Sequence, residues 1–213
     1  MARFIRNEGM IFIVDYGLGN LLSVAKAFQE VSGDKKVAVS RNAKELETAT
    51  HIVLPGVGNF VTGMRYLNDL ELVEPLTVQV VQKKKPFLGI CLGMQLLAEV
   101  GEESGETSGL SWISGRARRL RTGGLKIPHI GWNDVEIMNP YPLFQGISRS
   151  REFYFVHSYC LDCPHEYVVA RCTYGDTFTA AIQKDNIYAT QFHPEKSRDA
   201  GLKLLKNFLS ISC

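Results

Sequence analysis

With 213 residues, 24 basic against 22 acidic side chains and 45% apolar residues, the chain is long enough to bury one substantial core and lacks the basic excess a nucleic-acid binder needs. Its longest apolar stretches, around Ile11–Val14 and Phe87–Leu92, are strand-sized, which excludes a helical membrane span; Ala2–Gly9 has charges but no following apolar segment of signal-peptide length, so a cytoplasmic protein is expected.

Along the chain, residues 1–9 read as a possible disordered extension and residues 10–213 as one domain. Ile11–Asp15 reads as a buried strand; after a turn at Gly17, Gly19 and Asn20, the residues Leu21, Leu22, Val24, Ala25, Phe28 and Val31 recur at helical spacing, with Gly33 as the stop. A second strand is expected at Lys36–Val39, a short helix near Ala43–Glu47, and a third strand at His51–Leu54 that runs into Pro55-Gly56-Val57-Gly58. One or two helices span residues 59–84, with Pro75 in the first turn of the second, and a fourth strand, Pro86–Ile90, ends at Cys91. Met94–Val100 is apolar-periodic and reads as a helix, while Gly101–Gly109 reads as a mobile loop. From Trp112 onward shorter strands follow at Ile113–Leu120, Trp132–Ile137, Glu152–Tyr159, Tyr167–Thr173, Phe178–Gln183 and Ile187–Gln191. A helix over Asp199–Leu209 closes the chain. Strand and helix alternate first and strands cluster later, the pattern of a mostly parallel sheet with an antiparallel extension.

The five cysteines are odd in number and unevenly placed, which argues against a disulfide framework. Cys160 and Cys163 form a Cys-x-x-Cys pair, but no second ligand pair stands at zinc-finger spacing, so no metal is expected. Gly89-Ile90-Cys91-Leu92-Gly93 has the form Gly-x-nucleophile-x-Gly between a strand and a helical segment. A tight turn there exposes the sulfur, and the partial positive charge of a helix N-terminus favours the reactive thiolate. Taken alone, the same pattern fits a buried structural cysteine in a glycine-bounded turn equally well.

A thiol nucleophile needs a base, and His193 follows a strand end, where catalytic groups of open α/β sheets gather. Glu195, two residues on, points the same way in an extended segment and can orient the imidazole. His51 begins a strand and reads as a surface residue, His165 sits in a polar turn, and His129 and His157 fit either a pocket or simple packing. Pro55-Gly56-Val57-Gly58, also at a strand end, can turn backbone N–H groups toward a developing oxyanion, although a Pro-Gly turn is also ordinary punctuation.

With these residues in place the chain resembles class I glutamine amidotransferases and, among them, the glutaminase subunits that serve imidazole glycerol phosphate synthases. The resemblance runs from Ile11 to Leu209 and rests on Asp15-Tyr16-Gly17-Leu18-Gly19-Asn20, Leu54–Gly58, Leu88–Gln95, Pro128-His129-Ile130-Gly131-Trp132-Asn133, Phe155–Tyr159 and Gln191–Ser197. It implies a flavodoxin-like open sheet with helices on both faces and a cofactor-free thioester mechanism: Cys91 attacks the amide of L-glutamine, His193 moves protons and Glu195 orients His193. It further implies an oxyanion hole from backbone N–H groups near Val57 and of Leu92, and substrate contacts from Gly58, Gln95, His157, Ser158 and Tyr159. A (β/α)8-barrel cyclase is the implied heterodimer partner, met by Asn20, Trp132, Tyr159 and Lys196. Paralogues that supply ammonia for amidino-sugar synthesis in surface polysaccharide are a second reading. The departures that leave it open are Ile130, where methionine is common, Trp112, and the basic run Arg116, Arg118, Arg119 and Arg121, which otherwise reads as a solvated surface.

Overall fold

Alternation along the first strand, β1 (Met10–Val14), sets the architecture: Ile11 and Ile13 enter one apolar cluster, Phe12 and Val14 another, and all four are fully buried. A strand covered on both faces reads as an unbroken apolar run because neither face can be polar. The computed structural model describes residues 9–148 and 150–212. The extension expected over residues 1–9 therefore lies, apart from Gly9, outside the described residues.

The chain continues through α1 (Leu21–Val31), β2 (Lys36–Ser40), β3 (Ala49–Gly56), α2 (Phe60–Asp69), α3 (Val73–Thr77), β4 (Phe87–Cys91) and α4 (Leu92–Gln95). The second half holds β5 (Val100–Gly101), β6 (Thr107–Ser108), β7 (Arg116–Arg119), β8 (His129–Ile137), β9 (Ser150–His157), β10 (Tyr159–Asp162), β11 (Val168–Tyr174), β12 (Asp176–Lys184), β13 (Ile187–Thr190) and α5 (Arg198–Leu209). Asn20 caps α1 by accepting from the Ser23 N–H, and Asn59 caps α2 by accepting from the Thr62 N–H.

Nine strands form one sheet in the order β2-β1-β3-β4-β13-β12-β11-β8-β9. The first five run parallel, and β12, β11, β8 and β9 extend them antiparallel. Helices α1 and α5 cover one face and α2 and α3 the other, each completing one of the two apolar clusters. The α/β sheet expected from the strand pattern is thus present, with two differences. The strand expected at Ile113–Leu120 is only β7 and lies in a second sheet. The segment expected as a single strand over Glu152–Tyr159 breaks at Ser158, whose carbonyl accepts from the Leu120 N–H, and the chain passes into that second sheet, of order β10-β7-β5-β6.

Three local expectations are corrected. The helix expected over Met94–Val100 is the single turn α4, because the carbonyls of Leu96, Leu97 and Ala98 accept from the N–H groups of Leu110, Trp112, Ile113 and Ser111 instead of continuing a helix. The loop expected at Gly101–Gly109 is tied down: β5 pairs β6, and Glu103 accepts from the Phe60 N–H at the start of α2 (2.8 Å). His51 is only 4% exposed. Its ring meets Phe208 edge-on, Nε2 bonds the Ile211 carbonyl at 3.0 Å, and Nδ1 bonds Thr50 Oγ1.

Burial, and then the charge of Lys35, push the His51 imidazole down from 6.5 to about 4. The unfolded chain therefore binds a proton at higher pH than the fold does, and stability present above about pH 6.5 is lost as pH falls toward 4. We expect the melting temperature to drop over this window. The fall should be smaller in His51→Gln, which keeps a donor for the Ile211 carbonyl but cannot gain a proton; an unchanged pH slope in that variant would contradict the assignment.

Candidate active site

Register brings the chemistry together. Gly56 at the end of β3 is the Cα partner of Cys91 at the end of β4, and on the other side of β4 Thr190 pairs with Ile90. The chain leaving β3 therefore runs past Cys91 as Val57-Gly58, and the chain leaving β13 as Gln191-Phe192-His193. These are carboxyl ends of adjacent parallel strands, the usual crevice of open α/β sheets.

Cys91 sits at φ 54°, a backbone conformation that L side chains rarely adopt, as the residue between β4 and α4. Such a turn forces close backbone contacts that only glycine tolerates. A Cβ on Gly89 would lie 2.8 Å from the Gly93 carbonyl oxygen, and one on Gly93 would run into the carbonyl oxygen of Leu54. Because α4 is a single turn, its dipole is weaker than that of the helix expected from the sequence. The Leu92 N–H is the first of that turn and has no partner within the helix.

Cys91 lines a cavity of about 400 Å³ together with Val57, Leu92, Gly58, Gln95, His157, Ser158 and Tyr159. All the residues expected at the oxyanion hole and the substrate are thus brought together. His193 and Glu195 lie behind it, each with its side chain 2% exposed, and His193 Nδ1 donates to Glu195 Oε1 at 2.8 Å. This bond leaves Nε2 of the same ring buried and without a hydrogen-bond partner among the described residues. Burial pushes His193 down, but the charge and side chain of Cys91, together with Glu195, outweigh it and lift the imidazole to about 10. Cys91 and the ring are therefore neighbours, although the two are not aligned as a formed hydrogen bond. The sulfur instead touches the Val156 carbonyl and the Gln191 amide, each at 3.7 Å. Loose alignment of this kind is common in substrate-free sites.

Two other buried histidines shift the opposite way. Burial lowers His129 to about 4 and His157 to about 3, so both are neutral where His193 is charged. Neighbouring titratable groups with diverging environments indicate divided roles. His157, which lines the cavity as expected of a substrate-side residue, has both ring nitrogens engaged: Nδ1 with the Tyr159 carbonyl (2.9 Å) and Nε2 with His129 Nδ1 (3.0 Å).

Several residues at the site are given no role by the sequence, although Gln191 and Tyr16 stand in stretches that carry the family resemblance. Gln191, fully buried, donates to Cys91 Sγ and accepts from Gln95 Nε2 at 3.2 Å. Its period-2 spacing with His193 and its place at the head of the Gln191–Ser197 stretch are the local cues. Glu103 lines the cavity from a segment with no such cue. The Tyr16 hydroxyl lies against Gly56, buried and without a partner among the described residues, at a cost of about 1–3 kcal/mol. Burial, and then the charge of Cys91, push it far above the ordinary phenol range.

Of the expected partner-facing residues, Tyr159 and Lys196 line the cavity, while Asn20 and Trp132 stand outside it. Lys196 lies over the Tyr154 ring (5.6 Å), and Tyr154 meets Trp132 edge-on, so the two join the cavity rim to Trp132. Ile130 is 60% exposed and Trp132 39%. All of the basic run but Arg121 lies on β7, where Arg116 pairs with Glu102 and Arg118 with Asp162, and Trp112 packs edge-on against Phe87 in the core. Among the described residues no group of three or more His, Cys, Asp or Glu is placed to hold a metal, and no helix is long and apolar enough to cross a membrane.

Comparison with known proteins gives a consistent result. Residues 12–211 match the family described as glutamine amidotransferase class-I. The chain is 49% identical over 203 residues to the imidazole glycerol phosphate synthase subunit HisH 1 of Campylobacter jejuni (strain RM1221), covering 95% of this chain and 100% of that one. It is 46% identical to the corresponding HisH subunit of Methanosarcina acetivorans, covering 94% and 98%. Among solved structures, a glutamine amidotransferase shares the fold at TM-score 0.72 and 17% identity, covering 94% and 99% of the two chains. A chain of PurLQS from Thermotoga maritima does so at TM-score 0.70 and 15% identity, covering 95% and 98%.

The glycine contacts at the turn generate a direct prediction. Gly93→Ala should destabilise the protein by on the order of 3 kcal/mol in urea unfolding, since neither strand backbone can move aside. A variant as stable as the parent would contradict the steric account.

Proposed function

The chain belongs to the class I glutamine amidotransferase family, and from that premise we propose that it is the glutaminase subunit of an imidazole glycerol phosphate synthase in histidine biosynthesis. In this reading residues 10–213 act as one amidotransferase domain. The observation that carries it is the Cys91 sulfur at the wall of the cavity with His193 buried behind it, bonded through Nδ1 to Glu195 and raised in pKa by Cys91.

The proton positions suit thioester chemistry. The Cys91 sulfur attacks the side-chain carbonyl carbon of L-glutamine as its proton passes to His193, whose hold on that proton is raised by Cys91 and by Glu195. The C–O electrons move onto oxygen, where the N–H of Leu92 and a backbone N–H near Val57 receive them. His193 then protonates the departing nitrogen, the C–N bond breaks, and ammonia leaves a glutamyl thioester on Cys91. Neutral His193 next takes a proton from water, whose oxygen attacks the thioester and releases glutamate. Glu195 keeps the ring aligned through Nδ1 in both steps. Glu103 and Lys196 are an acid and a base on the cavity wall, suited to the α-ammonium and α-carboxylate of an amino acid. Gly58, Gln95, Ser158 and Tyr159 shape the remainder, and no cofactor enters any step.

Free ammonia protonates in water and loses its nucleophilicity, so the product must be delivered in a closed passage to an acceptor enzyme. A (β/α)8-barrel cyclase is the partner in this reading. It seats on the face running from Lys196 through Tyr154 to Trp132 and Ile130, with Tyr159 at the cavity, because exposed aromatic and apolar side chains beside a cavity mouth mark a docking surface, and the family resemblance adds Asn20.

Replacing Cys91 with Ala should lower glutamine hydrolysis by at least about 10³-fold, and Glu195→Gln, which keeps the shape but leaves the tautomer unset, by about 10²- to 10⁴-fold. Full glutaminase activity in Cys91→Ala would remove the mechanism. The isolated chain should turn over glutamine slowly, and the cyclase with its nucleotide substrate should accelerate it by about 5- to 150-fold or more. A stand-alone rate that the partner and nucleotide leave unchanged would refute the switch.

A further inference from the structure

One wall of the cavity carries a chain of hydrogen bonds that the thioester steps do not use. Asn133 Nδ2 donates to His129 Nε2 at 3.2 Å, and His129 Nδ1 faces His157 Nε2 at 3.0 Å. His157 Nδ1 reaches the Tyr159 carbonyl at 2.9 Å, and the same carbonyl accepts from Gln95 Nε2 at 2.8 Å. Gln95 Nε2 also donates to Gln191 Oε1, and Gln191 Nε2 donates to Cys91 Sγ. The two imidazoles face each other because His129 and His157 are Cα partners in the pairing of β8 with β9.

The direction of this chain is fixed by elimination. A carbonyl can only accept, so the proton on His157 is at Nδ1 and its Nε2 is the acceptor. His129 must then carry its proton at Nδ1, which leaves Nε2 to accept from the Asn133 amide, the group found there. Only one arrangement of protons satisfies every member, and it requires both rings neutral. Burial holds them so. A fully satisfied buried network is rigid, whereas one with a reversed member sets two N–H groups against each other.

We propose that His129 and His157 are positioning residues: their one-way relay fixes the Tyr159 carbonyl, and through it the amides of Gln95 and Gln191, so that the Cys91 sulfur is held for attack. The relay rests on the glutaminase reading of the site. Its outer end lies beside the exposed Ile130 and Trp132, so a partner seated there shares a strand with the group that orders the relay. Packing alone does not demand imidazole at position 129. That ring is stacked with Phe155 (4.9 Å) and Tyr174 (4.1 Å), an environment phenylalanine would suit.

This contrast supplies the test. His129→Phe keeps the stack and removes both nitrogens, while His129→Asn loses the stack but places an amide N–H near the site of Nδ1. The measurements are glutamine kcat and KM of the protein with its cyclase, and the rate at which iodoacetamide alkylates Cys91 in the isolated chain, followed by peptide mass. We expect His129→Phe to lower kcat and the alkylation rate by about 10- to 100-fold with KM within about threefold, and His129→Asn to recover most of both losses. An unchanged kcat and alkylation rate in His129→Phe would overturn the relay, as would a His129→Asn variant no better than His129→Phe. If the parent protein showed no glutaminase activity at all, the functional reading would fail, while the alkylation rates would still judge the relay.

Discussion

The bend at Cys91 is the constraint on which the site depends. It places a residue at φ 54° between a buried strand and a helical turn, and it is possible only because Gly89 and Gly93 allow the backbone of β3, β4 and α4 to touch. Positive φ at a non-glycine residue costs on the order of 1–3 kcal/mol and persists where the surroundings over-determine it. Here the surroundings are two parallel neighbours and a core on each face of the sheet. The same packing that sustains the bend delivers Val57-Gly58 from one side and His193 from the other.

Electrostatics then divides the three buried histidines at or beside the cavity into two kinds. Desolvation disfavours charge on all of them. At His193 alone, a carboxylate at 2.8 Å and the sulfur beyond it outweigh that penalty. His129 and His157 have only neutral partners, so burial wins and they serve as directional hydrogen-bond groups. A histidine is thus assigned to proton transfer or to positioning by the anions it faces, not by its depth in the protein.

Much of this was legible in the sequence, for identifiable reasons. The inner parallel strands are apolar on both faces, α1 shows clear 3.6-residue periodicity with an Asn cap, and the Gly-x-Cys-x-Gly and His-Pro-Glu spacings encode local geometry. What stayed hidden depended on tertiary contacts. Met94–Val100 has a helical pattern, yet the segment around Leu110–Ile113 takes its carbonyls. Glu103 looks like part of a polar loop until it caps a helix 43 positions earlier. His51 looks exposed until the end of the chain folds over it. The pairing of His129 with His157 is a matter of strand register, which no local spacing announces.

The central claim is that the Cys91 sulfur forms a covalent bond to the glutamine side chain while His193 supplies and recovers the proton. Rapid acid quench of the protein turning over glutamine, followed by peptide mass analysis, reads it directly. The account predicts a mass increase of one glutamyl group on the peptide containing Cys91, and its build-up when His193 is replaced by a residue that still permits acylation but cannot activate water. Sustained glutamine hydrolysis with Cys91 unmodified throughout, or with the adduct on a different residue, would contradict it.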